Sequence, residues 1–147
     1  MSNADSFSGA KLVLFLGDRI VVLRRDVKPR LEWPGCLDLP GGGRHGGESP
    51  EDCVLRETRE EIGLRLDPGD LVWRCFYREP NRAWFFAAHL PEARESDIVF
   101  GAEGRGWHLM RPEDFVNAPD AIPHFRDRVG AYLRVRARVE GRDKGRG

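Results

Sequence analysis

Lysine is scarce in this chain, occurring only as Lys11, Lys28 and Lys144, and arginine supplies the rest of a basic set of 24. Acidic residues also number 24, so the formal net charge is zero and no overall field draws the molecule to nucleic acid or an anionic membrane. Any affinity for an anion must therefore be local. The cysteines, Cys36, Cys53 and Cys75, are odd in number and form no C-x-x-C pair, which excludes a disulfide framework and a zinc knuckle. No apolar run approaches the roughly 18 residues of a membrane span, and the N-terminus lacks the charged-then-apolar pattern of a secretion signal. A cytoplasmic protein in a reducing compartment is the expectation. There is no internal repeat.

What is present is enough to build one core. A chain of 147 residues, 40% hydrophobic and 33% charged, fits a single domain. We expect that domain over residues 10–138, a flexible polar lead over 1–9, and a flexible, charged, glycine-rich tail over 139–147 with nothing to bury.

Lys11 to Leu16 and Ile20 to Arg24 are β-rich runs separated by Gly17, Asp18 and Arg19, which predicts a hairpin. Asp26 to Gly35 holds two prolines and no periodicity, hence a loop, with Trp33 unusually large for one. Leu37 to Leu39 predicts a short strand that runs into a tight turn at Pro40, Gly41, Gly42 and Gly43. Ser49 is suited to cap a helix beginning at Pro50, and Gly63 to end it. Cys53, Val54, Thr58 and Ile62 form its inward stripe. Leu64 to Leu66, Leu71 to Tyr77, Ala83 to His89 and Gly106 to Met110 read as further strands, bringing the sheet to six or seven. Pro112 to Asn117 predicts a short helical turn, and Ala121 to Val139, with Ile122, Phe125, Val129 and Leu133, a closing helix.

The chemically informative stretch is Gly42 to Leu64. On the predicted helix Glu57, Glu60 and Glu61 stand at i, i+3 and i+4, so three carboxylates leave one face. Such crowding costs a few tenths of a kcal/mol per pair on a bare helix. Hard divalent cations prefer oxygen ligands, and Mg²⁺ in particular binds through a few carboxylates, waters and substrate phosphates. The bland alternative is that Arg56 and Arg59 merely form solvated ion pairs with these acids. Gly41, Gly42 and Gly43 add backbone able to approach a metal or phosphate closely, although a glycine run is also an ordinary turn.

Combined at fixed spacing, these features resemble the Nudix box, G-x5-E-x7-R-E-U-x-E-E-x-G-U, where U is bulky and apolar. Gly42, Glu48, Arg56, Glu57, Glu60, Glu61, Gly63 and Leu64 all fall in register, and only Thr58 departs, being polar at a U position. Matches of this strictness arise by chance on the order of once in 10⁸ placements. Leu39-Pro40-Gly41-Gly42 resembles the family's lead-in, and Glu103-Gly104 followed by Trp107 a second hallmark. The likeness spans residues 10–138.

The resemblance implies an α/β fold, an α/β/α sandwich around a mixed β-sheet. It implies one or more Mg²⁺ or Mn²⁺ ions held by the Gly42 carbonyl, Glu57, Glu60 and Glu61. Arg56 would orient the carboxylates with Glu48 as its partner, and Gly41, Gly43 and Gly63 would shape the site. Glu60 and Glu103 are the candidates for accepting the proton from water. For the substrate, Trp33, Phe76, Tyr77 or Trp84 could stack on a base and Arg24, Arg25, Arg78 or Arg82 could touch phosphate; Arg24, Trp33 and Arg82 are the residues we single out. Core packing or solvated charge is the alternative for each.

The implied activity is hydrolysis of the pyrophosphate bond in a nucleoside diphosphate linked to another moiety: a nucleoside triphosphate, a nucleotide sugar or ADP-ribose. A non-catalytic nucleotide-sensing module is the alternative, although it would have no reason to keep a repulsive acidic cluster. An RNA-end hydrolase would need a basic path, for which only the arginines from Arg126 to Arg146 are available. The expected partner is a small nucleotide, with neither membrane nor nucleic acid, in a chain that the resemblance also allows to be a homodimer.

Overall fold

The computed structural model describes residues 6–145, with side-chain surroundings for residues 6–141. Strands β1 (Gly9–Leu16) and β2 (Arg19–Arg24) form the predicted hairpin, and β3 (Leu37–Asp38) pairs with β2. Strand β4 (Gly41–Gly43) lies antiparallel to β1 and leads to helix α1 (Pro50–Ile62). Then come β5 (Leu71–Tyr77), β6 (Ala83–Leu90), β7 (Trp107–Met110), α2 (Pro112–Val116) and α3 (Pro123–Gly145). Among the described residues seven strands make one mixed sheet in the order β3-β2-β1-β6-β5, with β4 added to β1 and β7 to β2. β1 and β6 are parallel, and the remaining pairs are antiparallel.

Strand alternation decides which helix each residue meets. Leu12, Leu14 and Leu16 of β1 point to the side of Cys53, Val54 and Ile62 on α1. Val13 and Phe15 point to the opposite side, where Phe115 of α2 and Phe125, Val129 and Tyr132 of α3 pack. Because helices cover both faces, β1 and β2 are apolar almost throughout, as expected of strands buried on two sides. Burying each large side chain contributes about 1.5–3 kcal/mol before the entropy of ordering is subtracted. The result is the α/β/α sandwich around a mixed sheet that the box implied. No helix among the described residues is long and apolar enough to cross a membrane.

Helix α1 has the ends its sequence predicts. Ser49 accepts a hydrogen bond from the Asp52 N–H at 3.1 Å. Gly63 ends the helix at φ +70°, and its N–H bonds the Arg59 carbonyl. The inward stripe of Cys53, Val54, Thr58 and Ile62 is buried as expected.

Several boundaries differ from expectation. The glycines Gly41 to Gly43 are a strand rather than a bare turn, because β1 supplies a pairing edge that sequence inspection does not reveal. Leu64 to Leu66 is not a strand; Leu64 and Leu66 are nevertheless buried against the α1 side of the sheet, which accounts for their apolarity. Of the lead expected to be flexible over 1–9, residues 1–5 lie outside the described residues, while Phe7 is 5% exposed within the core and Gly9 opens β1. The closing helix begins at Pro123, Ala121 forming an isolated bridge to Leu37 instead, and runs to Gly145, past the limit expected at 139.

At Gly41, with φ +126°, an added Cβ would be driven into the Ala10 carbonyl and to 2.7 Å from the Lys11 Cα. Gly41→Ala is therefore expected to cost about 2–5 kcal/mol through backbone strain and overpacking, read as a lower urea midpoint; an unchanged midpoint would contradict the close β1–β4 approach. Thr58 Oγ1 is buried without a hydrogen-bond partner. Thr58→Val, which restores an apolar residue at the departing box position, is expected to raise stability by about 1 kcal/mol, and a lower melting temperature would refute that.

Candidate active site

The site is assembled where α1 passes β4 and the loop between them. Arg56, on the second turn of α1, is its hub. Its Nε donates to Glu48 Oε2 at 2.6 Å and its Nη2 to Glu48 Oε1 at 3.0 Å, a two-pronged pairing with one carboxylate. Nη2 also donates to the Gly43 carbonyl at 2.8 Å, while Nη1 donates to Glu57 Oε1 and Glu60 Oε2, each at 3.0 Å. One guanidinium thus joins β4, the following loop and two of the three clustered acids. The Arg56 hydrogen bond holds the Glu48 carboxyl down to about 2, against the desolvation that opposes it. The Glu48 pairing in turn raises the Arg56 pKa.

The carboxylates face the glycine strand. A Cβ on Gly42 would meet Glu57 Cδ and Oε2 at 2.7 Å, so glycine is needed there for the acid to lie against the backbone. The Gly41 N–H donates to Glu61 Oε1 at 2.6 Å. Burial pushes the Glu61 carboxyl up to about 7, while the nearby Lys11 charge and the Gly41 hydrogen bond pull it down. The Glu60 carboxylate, 56% exposed, extends toward solvent along the Arg56 ion pair. The ion pairs proposed as the bland alternative therefore do form at Arg56, but through the bond of Arg56 to the Gly43 carbonyl they hold Glu57 beside the glycine strand, while Glu60 stays in solvent.

These residues suit a hard divalent cation. The donor set is all oxygen, and the Glu57 carboxylate lies against the Gly42 backbone in the space that any side chain there would fill. Among the described residues no group of three or more acidic, histidine or cysteine side chains is already gathered around one point. That follows from the pairings above, which draw Glu57 and Glu60 to Arg56 and Glu61 to Gly41. Cys53, whose Sγ contacts the Gly42 carbonyl at 3.5 Å, is no thiolate donor, because burial pushes its thiol up to about 11.

Glu103 comes from the loop before β7 and lines, with Glu61, Asp38, Asp26, Arg24 and Arg25, a cavity of about 110 Å³. The same loop grips the C-terminal end of α1: the Val99 N–H donates to the Ile62 carbonyl at 2.9 Å and the Gly101 N–H to the Glu61 carbonyl at 2.7 Å. Arg24 lines this cavity while bonding Asp120 Oδ2 and the Gly35 carbonyl, both at 2.9 Å.

On the other side of Asp38 a groove runs along the sheet. Its outer part, about 580 Å³, is lined by Trp33, His124, Phe125, Lys11, Arg25 and Asn81 among others. Its inner part, about 310 Å³, shares Lys11, Arg25, Asn81 and Phe125 and reaches Gly42 and Gly43. Trp33 stands at the lip, 41% exposed and at φ +52°, with its ring 6.1 Å from that of His124. A non-glycine residue in that region carries backbone strain of about 1–3 kcal/mol, a cost found most often at functional positions.

Not every sequence candidate reaches this region. The Arg82 guanidinium turns away, its Nε bonding the Ser6 carbonyl at 2.7 Å and its face lying over Phe76. Phe76 and Trp84 pack against the α1-side core and Tyr77 against the other, as the core alternative had it. Sequence reading overlooked Lys11, Asp38, Asn81 and Phe125. For Lys11 a signal existed, a lone charge in the apolar run of β1; for Asp38 there was none, since it is one acid in a short strand.

A family model described as "NUDIX domain" matches residues 7–133. An RNA pyrophosphohydrolase of Zymomonas mobilis is 31% identical, over 86% of this chain and 90% of that protein. An ADP-ribose pyrophosphatase of Methanocaldococcus jannaschii is 31% identical, over 66% of this chain and 50% of that one. Among solved structures, the MutT protein of Methanosarcina mazei superposes with a TM-score of 0.72 at 23% identity, covering 87% and 93% of the two chains. With the box in register, its acids against the glycine strand and the fold shared, the chain belongs to the Nudix hydrolases, enzymes that act on pyrophosphate bonds.

Proposed function

We propose that this protein is a divalent-metal-dependent pyrophosphohydrolase of small nucleoside diphosphate derivatives, working in the cytoplasm. The observation that carries the reading is the contact of Glu57 with the Gly42 backbone, held in place by the Arg56 fork. The Gly42 carbonyl, Glu57, Glu60 and Glu61 would hold Mg²⁺ or Mn²⁺. Such an ion neutralises phosphate oxygens and makes water a better nucleophile at neutral pH.

The chain's own residues supply the remainder. Arg56 fixes Glu57 and Glu60, and Glu48 fixes Arg56. Glu103 is favoured over Glu60 for accepting the proton of the attacking water, because Glu60 is paired with Arg56 whereas Glu103 shares a small cavity with Glu61. The groove from Trp33 and His124 to Gly42 and Gly43 suits a nucleoside at its outer end and phosphates at its inner end, its two parts matching the size range of small-molecule sites. Arg25 supplies positive charge along this groove, and Arg24 lies on the Glu103 side.

The similarity to an RNA pyrophosphohydrolase keeps an RNA 5′ end as a second reading. Three of the α3 arginines do not favour it. Arg126 bonds the Ala118 carbonyl, Arg128 bonds the Glu79 carbonyl and covers Tyr77, and Arg136 covers Phe15 and pairs with Glu140. They are engaged in holding the helix rather than forming a track.

A panel of nucleoside triphosphates, nucleotide sugars, ADP-ribose, dinucleoside polyphosphates and 5′-triphosphorylated RNA, assayed with Mg²⁺ and with Mn²⁺, tests the proposal. Turnover of a small nucleotide that disappears with a chelator and returns with either ion is the expected result; turnover insensitive to chelation would remove the metal assignment, and binding without turnover would make the protein a sensor. Glu57→Gln is expected to lower kcat at least about 100-fold, the upper end of what a change beside the ligands costs, with an unaltered far-ultraviolet spectrum. A variant that keeps its rate at saturating Mg²⁺ would show that Glu57 is no ligand.

A further inference from the structure

The lone lysine of β1 is only 16% exposed, although it lies beside a groove open to solvent. Its ammonium has three N–H donors, and the structure gives each an acceptor: Asp38 Oδ1 at 3.0 Å, the Leu39 carbonyl at 3.2 Å and the Gly41 carbonyl at 2.9 Å. The carbonyl between the latter two, that of Pro40, accepts from the Leu12 N–H at 2.8 Å. Three successive carbonyls leading into β4 are thereby fastened to β1, two of them by one side chain. Asp38, 4% exposed, also accepts from the Leu39 N–H at 2.7 Å and from Arg25 Nη1 at 3.0 Å, so the anchor for the ammonium is itself held.

What this arrangement holds still is the backbone that meets the acids. The Gly41 N–H donates to Glu61, and Gly42 lies against Glu57. An ammonium whose donors are all engaged has none to offer a phosphate unless it gives up a partner. Lys11 therefore acts through the chain it binds.

We propose that Lys11 is a positioning residue for pyrophosphate hydrolysis: by tying the carbonyls of Leu39 and Gly41 to Asp38, it sets the Gly42 backbone and the Gly41 N–H in the places Glu57 and Glu61 require. The inference rests on the reading of Gly42, Glu57 and Glu61 as the metal cradle. Three roles for Lys11 differ in sign. A mere neighbouring charge repels a cation and attracts phosphate, so its loss would tighten metal binding and raise KM. A purely structural lysine would lower the melting temperature and leave metal affinity alone. A positioning lysine weakens metal binding and lowers kcat when removed, with KM little changed.

The test uses the full chain, stripped of metal. Mn²⁺ affinity is measured by the paramagnetic resonance signal of the free ion, kcat and KM on the substrate that the panel identifies, and melting by circular dichroism, for Lys11→Met, Lys11→Arg and Glu57→Gln. Lys11→Met is expected to bind Mn²⁺ about tenfold or more weakly, the scale of losses beside a metal site, with a matching fall in kcat. Lys11→Arg, which keeps the charge but spreads its donors over a planar fork, is expected to fall between that variant and the wild type. Unchanged or tighter Mn²⁺ binding in a folded Lys11→Met, or a rise in KM alone, would overturn the role. Should Lys11→Met lack a cooperative melt, wild-type Mn²⁺ affinity in Lys11→Arg would overturn it equally. Glu57→Gln separates the two failures: if it too keeps Mn²⁺, the cradle itself is wrong, whereas if it alone loses Mn²⁺, only the role of Lys11 falls.

Discussion

Three acids on one helical face repel one another, and in this protein a single guanidinium makes that arrangement stable. Arg56 bonds Glu48, Glu57, Glu60 and the Gly43 carbonyl at once. The planar fork of donors is what allows this; a lysine at the same place has a point charge with three donors and no plane to distribute. The consequence reaches beyond charge balance. Strand β4, the loop carrying Glu48 and helix α1 are separate pieces of chain, and the Arg56 side chain is bonded to all three. Its raised pKa and the depressed carboxyl of Glu48 are two views of that one pairing.

The sheet supplies the frame in which so many polar groups can lie close together. β1 runs through the middle, parallel to β6 and antiparallel to β2 and β4, with apolar residues packed on both of its faces. Its first residues are different. Gly9, Ala10 and Lys11 pair with Gly43, Gly42 and Gly41, so the end of the strand nearest the site exchanges bulk for close backbone approach and a single charge. The same strand therefore serves as core at one end and as support for the acids at the other.

Much of this was legible in the amino-acid order. The spacing of Gly42, Glu48, Arg56, Glu57, Glu60 and Glu61 carries the partnership because helix geometry converts i, i+3 and i+4 into one face, and Ser49 and Gly63 mark the helix ends through local hydrogen bonding alone. The alternation of Leu12, Val13, Leu14 and Phe15 is plain as a strand, but that both of its sides are covered becomes evident only once the helices are placed. Gly41 to Gly43 reads as a turn because its pairing with β1 joins residues some 30 positions apart, and Leu64 to Leu66 reads as a strand because burial against a sheet and membership of one leave the same apolar mark. Asp38 is unremarkable until Lys11 and Arg25 converge on it, and Arg82 looks like a phosphate ligand until Ser6 claims it. In each case the missing information is a long-range partner.

Residues 98–101 bind the end of α1 by its own carbonyls, Val99 to Ile62 and Gly101 to Glu61. Gly101 fits so closely that a Cβ there would come within 2.6 Å of the Glu60 carbonyl. The stretch bearing Glu103 is thus moored to the very turn that bears Glu60 and Glu61. The two sets of acids share one mechanical mount, and any change of sequence that lengthens or loosens this connection would shift them relative to each other while leaving every acidic residue intact.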